Sequence, residues 1–224
     1  MSIYTPFLAA LLCVFIIGYA GTSWQMTNIL RNTSDKNTRT SAYAIKVALH
    51  LLFITVVPLM AALYLVPDQL QSPLPEPFAD LAGALRWALG LKAPIALDYR
   101  DYLCFTAAVI AGFFAVDLAS PHKTIRRPGL FGAFGALAPR NGREVVYAAM
   151  LAVSAGAGEE LLFRLLLPLL LIGAGTSAAA AFLASSLFFG TCHLFRGWRS
   201  GLTAAAPGLL ISAAYLVLVS LRTV

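Results

Sequence analysis

Residues 145–171 read VVYAAMLAVSAGAGEELLFRLLLPLLL, and the fold class turns on this stretch. At about 1.5 Å per helical residue it is long enough to cross a hydrocarbon core about 30 Å thick. Three ionisable side chains, Glu159, Glu160 and Arg164, interrupt the otherwise apolar run. Each costs roughly 2.5–3.5 kcal/mol at the centre of a membrane helix. Facing lipid together, they would consume most of the span's insertion energy. They must therefore face other helices or a wet cavity, which predicts an all-α fold, a polytopic transmembrane helix bundle.

The rest of the chain has the composition such a bundle needs. It is 59% apolar and 12% charged, against about 25% charged in soluble domains. Hydropathy predicts about six spans, near Ile3–Gly21, Val47–Val66, Tyr102–Ala119, Val145–Leu171, Thr176–Leu194 and Leu202–Leu221. The first lacks a basic n-region and reads as a span rather than a cleaved signal. A polar stretch with Arg31, Asp35, Lys36, Arg39 and Lys46 is expected to link spans one and two, with Pro58 as a tolerated kink in span two. A Pro- and acid-rich loop (67–80) follows, then a weakly amphipathic, interfacial helix over 81–97. The chain divides into N-terminal spans with the interfacial segment (1–101) and a membrane core (102–224). Cys13, Cys104 and Cys192 all lie in apolar segments and make an odd count, so they read as small buried hydrophobes rather than a disulfide framework.

The net charge of +6 reports topology rather than a nucleic-acid partner. The loops after spans one, three and five hold four, five and two Lys or Arg, whereas the opposite side holds Arg86, Lys92, Arg100 and Arg222 with five acids in one loop. The positive-inside rule then places the first set in the cytoplasm and the N-terminus outside. The Ala- and Gly-rich make-up fits a bacterial inner membrane.

Helical spacing sorts the three buried charges. Glu160 and Arg164 are four apart with the acid N-terminal, the favourable order for an ion pair on one face. Glu159 is rotated about 100° away and is free to point elsewhere. His193 in span five is its natural partner, since a carboxylate and a neutral imidazole converging on one water make a general-base site. Ala155, Gly156, Ala157 and Gly158 allow another helix to approach closely, as does GAGTSAAAA (173–181). His193 lies close to the cytoplasmic Arg196, which predicts a cavity open on that side. Structural readings stand beside these: a purely structural Glu160–Arg164 pair, a hydrogen-bonded packing role for His193, and Asp117 as a solvated helix end. Cys192 and His193 face about 100° apart and form no dyad. His50 and His122 read as a span residue and a loop residue without partners.

At these residues the sequence resembles a known family. Glu159-Glu160-Leu161-Leu162-Phe163-Arg164 resembles the EExxxR motif of the CAAX prenyl protease and bacteriocin-processing (Abi) family. Phe189-Gly190-Thr191-Cys192-His193 resembles its second motif, FxxxH, and a Gly197-Trp198 pair follows. The resemblance covers residues 145–221 well and earlier spans only by hydropathy. It implies an intramembrane endopeptidase of glutamic type, in which Glu159 and His193 activate the attacking water while Glu160 and Arg164 hold the site in shape. The implied substrate is a membrane-associated peptide, prenylated, lipid-anchored or transmembrane, met at the lipid bilayer.

One departure accompanies the resemblance. The family's third motif, HxxxN or HxxxD, is thought to stabilise the oxyanion, and no other histidine here fits it. Its helix should begin where the chain ends, at Ser220–Val224. Losing an oxyanion donor typically costs 10²–10³ in rate, so a truncated form, an inactive relative or a substitute donor are the alternatives. No HExxH or GxSxG motif is present, and Gly156-Ala157-Gly158-Glu159 resembles the aspartyl-type GxGD only faintly. No cofactor is expected: zinc at Glu159, Glu160 and His193 is disfavoured because Arg164 would repel a cation and the spacing matches no zinc site. The competing function is a non-catalytic membrane scaffold, an immunity protein or a transport-associated protein.

Overall fold

The computed structural model describes residues 4–68, 74–91, 139–194 and 198–219, and these are all-helical. Helix α1 (Tyr4–Asn32) turns at residues 33–35 into α2 (Lys36–His50), which continues through a π-helical segment (Leu51–Val56) into α3 (Val57–Leu65). A short 3₁₀ turn (Glu76–Phe78) leads into α4 (Ala79–Ala88). Helix α5 (Gly142–Glu160) runs through a second π segment (Leu161–Leu166) into α6 (Leu167–Gly173). Helices α7 (Ala178–Thr191) and α8 (Trp198–Val219) complete the described fold. Span three, with Asp117, His122 and the basic loop before residue 139, lies outside the described residues.

The polar stretch expected between spans one and two is helical instead. Asp35 caps α2 by accepting the Thr38 N–H at 2.7 Å, and hydrogen bonds from Thr38 hold its exposed carboxyl below the ordinary carboxylate range. Arg39 and Lys46 therefore sit within the bundle rather than in a loop, at 1% and 5% exposure. They belong to a buried stripe of α2, Arg39, Ala42, Tyr43, Lys46, Val47 and His50, at the spacing of one helical face. The same helix turns Ile45 outward, as the following π segment turns Leu52 and Val56. Polar groups inside and large apolar groups outside invert the soluble pattern and suit a lipid-facing exterior.

Two helical stretches, Thr5–Asn32 and Lys36–Leu65, are long and apolar enough to cross a membrane. The apolar stretches Ala178–Thr191 and Ala204–Leu218 are shorter. A central cluster joins the two halves of the chain: Ile16 of α1, Ile54 of the first π segment and Ala62 of α3 pack with Leu162, Leu166 and Leu167. Of the interfacial helix expected over 81–97, positions 92–97 lie outside the described residues, which show α4. Its Ala82 is fully buried in a cluster with Phe78, Leu169, Phe182 and Leu216, while Trp87 projects outward at 86% exposure.

Both π segments have a covalent cause. Val57 donates to the Leu52 carbonyl and Leu167 to the Leu162 carbonyl, each five residues back. Pro58 and Pro168 follow directly, and a proline ring within a helix clashes with the carbonyl four residues earlier and offers no N–H. Widening the turn relieves that clash. In the second segment the Phe163 carbonyl is left without an intrahelical donor, and the buried Ser185 hydroxyl of α7 supplies one at 2.6 Å.

At one end of the bundle a buried clasp ties three helices together. Arg39 Nη2 lies 3.3 Å from Glu144 Oε2, both side chains excluded from solvent. Arg39 Nη1 also donates to the Leu30 carbonyl at the end of α1. Glu144 accepts from the Arg140 N–H at 2.9 Å and from Asn141 Nδ2 at 2.7 Å, while Asn141 caps α5. Removing one partner of such a pair strands the other charge, at a cost of about 3–5 kcal/mol. Glu144→Ala is expected to lower the thermal unfolding midpoint in detergent clearly more than Glu144→Gln, which keeps an acceptor. Equal midpoints for both variants and the parent would show that the clasp contributes no stability.

Candidate active site

The site forms where the two π segments meet. Gly158 presses its backbone onto the first: a Cβ there would stand 2.5 Å from the Ile54 carbonyl oxygen and 2.6 Å from Thr55 Oγ1. The small-residue run before Glu159 thus does what its sequence predicts, and Gly158 is the position that makes the contact. A Cβ at Gly156 would meet nothing within 4 Å among the described residues. A second close approach pairs α7 with α8, where a Cβ on Gly190 would stand 2.7 Å from the Gly201 carbonyl oxygen.

The two glutamates diverge as the helical geometry requires. Glu160 Oε1 lies 3.3 Å from Arg164 Nη1. The Arg164 guanidinium is 4% exposed and rests 4.9 Å over the Phe189 ring, a cation–π contact that favours a desolvated cation. Its Nε and Nη1 find no hydrogen-bond partner among the described residues, so the ion pair and the ring hold these atoms. Glu159 points to a different partner. Its Oε1 lies 3.7 Å from His50 Nε2 of α2, within ion-pair range and too long for a direct hydrogen bond. His193, His50 and Arg164 are all within electrostatic reach of the Glu159 carboxylate.

The structure corrects two sequence expectations. His50 is not an unpartnered span residue: besides Glu159, its Nδ1 lies 2.9 Å from Ser154 Oγ, and the Tyr19 ring packs edge-on at 5.3 Å. His193 sits not within the helix expected over span five but in the turn ending α7, where its backbone N–H bonds the Gly190 carbonyl at 2.9 Å. No sequence spacing could have revealed the His50–Glu159 pair, because the two residues lie on elements far apart in the chain. The available signal was an ionisable residue inside an apolar run, the same signal that singled out Glu159.

The second motif gains a physical meaning here. His193 Nδ1 lies 2.8 Å from the Phe189 carbonyl oxygen. A carbonyl can only accept, so Nδ1 carries the proton, and in the neutral ring the lone pair lies at Nε2. Phe189 thereby fixes the imidazole through its backbone and seats Arg164 through its ring. Among the described residues, no three His, Cys, Asp or Glu side chains converge as metal ligands would.

An all-helical bundle with an apolar exterior and a carboxylate–imidazole cluster between its helices is the class that fold and site define. Residues 141–224 match the family model described as Rce1-like, type II CAAX prenyl endopeptidase, so this part of the chain is similar to the CAAX-protease family. That family is one of hydrolases, and together with the apolar helices it points to an integral membrane protein. No curated protein and no solved structure matched the chain.

The contact at Gly158 sits next to Glu159, so a methyl group there should move the carboxylate as well as loosen the helix pair. Gly158→Ala is expected to lower the thermal unfolding midpoint in detergent, because the methyl would overlap the Ile54 carbonyl oxygen at the cost of about 1–3 kcal/mol typical of overpacking. The matched control is Gly156→Ala, whose methyl meets nothing within 4 Å among the described residues and should leave the midpoint near that of the parent. Equal midpoints for the two variants would show that the close approach tolerates a side chain.

Proposed function

We propose that this chain is an intramembrane endopeptidase that hydrolyses peptide bonds of membrane-associated substrates with a water activated by Glu159 and His193. The carrying observation is the division of labour between adjacent carboxylates. Glu160 is engaged by Arg164 at 3.3 Å, whereas Glu159 is 23% exposed and faces imidazole. In the proposed mechanism the Glu159 carboxylate and the His193 Nε2 lone pair orient a water and accept its proton as oxygen attacks the scissile carbonyl carbon. The tetrahedral intermediate collapses with cleavage of the C–N bond, and the held proton passes to the departing amine. Glu160 and Arg164 keep the helix in register and touch no reacting atom.

The family match supports a prenylated peptide as the substrate class. The proposal includes the remaining parts of a bundle of about six spans, a bacterial inner membrane, the N-terminus outside and a cavity open to the cytoplasm; with Arg39 and Lys46 placed inside α2, the orientation rests on Arg31, Lys36 and the basic residues after spans three and five.

Peptide termini compared between membranes containing the parent chain and membranes containing Glu159→Gln provide the test. Termini that arise only with the parent are expected, and their sequences would identify the substrates. Identical profiles at equal levels of folded, inserted protein would refute the proposal and favour a non-catalytic scaffold.

A further inference from the structure

We propose that His50 is a positioning residue for Glu159, the inner end of a Thr55–Ser154–His50 hydrogen-bonded chain that aims the carboxylate; this rests on the proteolytic reading above. His50 lies outside the stretch that matches the family model, on an earlier helix. It is 3% exposed where Glu159 is 23% exposed. The Glu159 carboxylate is thus the more open of the two groups and the imidazole is enclosed, so His50 acts through Glu159.

The ring is constrained on three sides. Nδ1 meets Ser154 Oγ at 2.9 Å, Tyr19 closes one side edge-on, and Nε2 faces Glu159 Oε1 at 3.7 Å. Ser154 Oγ lies in turn 3.0 Å from Thr55 Oγ1. A hydroxyl has one proton to give, which restricts the possible arrangements. When Thr55 donates to Ser154 and Ser154 donates to Nδ1, the neutral ring carries its proton on Nε2. When the ring is protonated, Nδ1–H donates to Ser154 and Nε2 still carries a proton. Both states present an N–H to the carboxylate, and the remaining tautomer would set a lone pair against a carboxylate oxygen.

The two imidazoles consequently have opposite polarity. His193 spends its Nδ1–H on the Phe189 carbonyl and offers a lone pair. His50 receives a hydrogen bond at Nδ1 in its neutral form and offers an N–H. One orients the carboxylate, and the other shares its task as base. Thr55 and Ser154 belong to the two elements that touch at Gly158, so the chain of hydrogen bonds spans the same close contact that sets the backbone.

The test uses the full chain in lipid nanodiscs, with an internally quenched farnesylated peptide ending in Cys-aliphatic-aliphatic-X as the probe. His50→Asn keeps an amide for Ser154 but cannot reach Glu159, and is expected to lower kcat roughly 10- to 100-fold with KM unchanged. His50→Gln places an N–H near the position of Nε2 and should recover much of that loss, which a merely structural role would not predict. A kcat for His50→Asn equal to the parent's, with Glu159→Gln inactive, would overturn the inference and leave the protease reading standing. A second readout is independent of turnover. The chain has three histidines, so ¹³C-histidine spectra are sparse, and the His50 signal is the one lost in His50→Asn. That signal is expected to shift in Glu159→Gln; an unmoved signal would overturn the pairing directly. An inactive parent would sink the protease reading and the catalytic consequence with it, and the spectrum would then decide the pairing alone.

Discussion

The absence of a side chain at Gly158 governs the geometry of the whole site. Only a glycine lets α5 come within van der Waals distance of the Ile54 carbonyl and the Thr55 hydroxyl. That approach carries Ser154 to Thr55 and His50, and it brings Glu159 alongside the end of α2. The facing element is itself widened by Pro58 into π geometry, and π segments within α-helices are frequent at functional sites. The second segment repeats the arrangement. Pro168 widens the turn holding Arg164, and Ser185 satisfies the carbonyl this leaves over.

Burying so many ions requires an account of cost. Arg39, Lys46, Glu144 and Arg164 are all nearly excluded from solvent, and an unpaired ion in an apolar medium is far costlier than a hydrogen-bonded pair. The structure answers each differently. Arg39 and Glu144 pair and collect backbone partners at helix ends, and Lys46 reaches Thr27 of α1 at 3.3 Å. Arg164 combines an ion pair with an aromatic face. Buried pairs of this kind are weak evidence of net stability. Their effect is directional, because each is satisfied only when particular helices meet in one register.

The parts of this arrangement legible in sequence were the local ones. The Glu160–Arg164 pair follows from i,i+4 spacing, the divergence of Glu159 from the helical rotation, and the close approach from the run of small residues. Proline placement carried a further signal, since Pro58 was legible as a kink and Pro168 sits equally inside an apolar run. The non-local features were hidden. Apolar periodicity ended α1 too early and began α2 too late, because Arg39 and Lys46 look like loop residues until their partners on α5 and α1 are known. His50 looked isolated for the same reason: its partners Ser154 and Glu159 lie on the far side of the chain, and pairing across such a separation leaves no trace in spacing.

The placement of two carboxylates side by side has its own logic in the proposed mechanism. Arg164 cannot give up its proton under any physiological condition, so the group facing Glu160 carries a fixed charge and can hold geometry but cannot exchange protons. Glu159 instead faces the His50 imidazole at 3.7 Å, a ring whose two nitrogens can each donate or accept. A single helical step of about 100° therefore separates a carboxylate paired with a permanent cation from one that faces imidazole. Exchanging the two identities, with Arg164 kept in place, would leave the base against an immovable charge. That asymmetry explains why adjacent glutamates, identical in chemistry, can divide structural and proton-transfer roles on the strength of which helix face each one occupies.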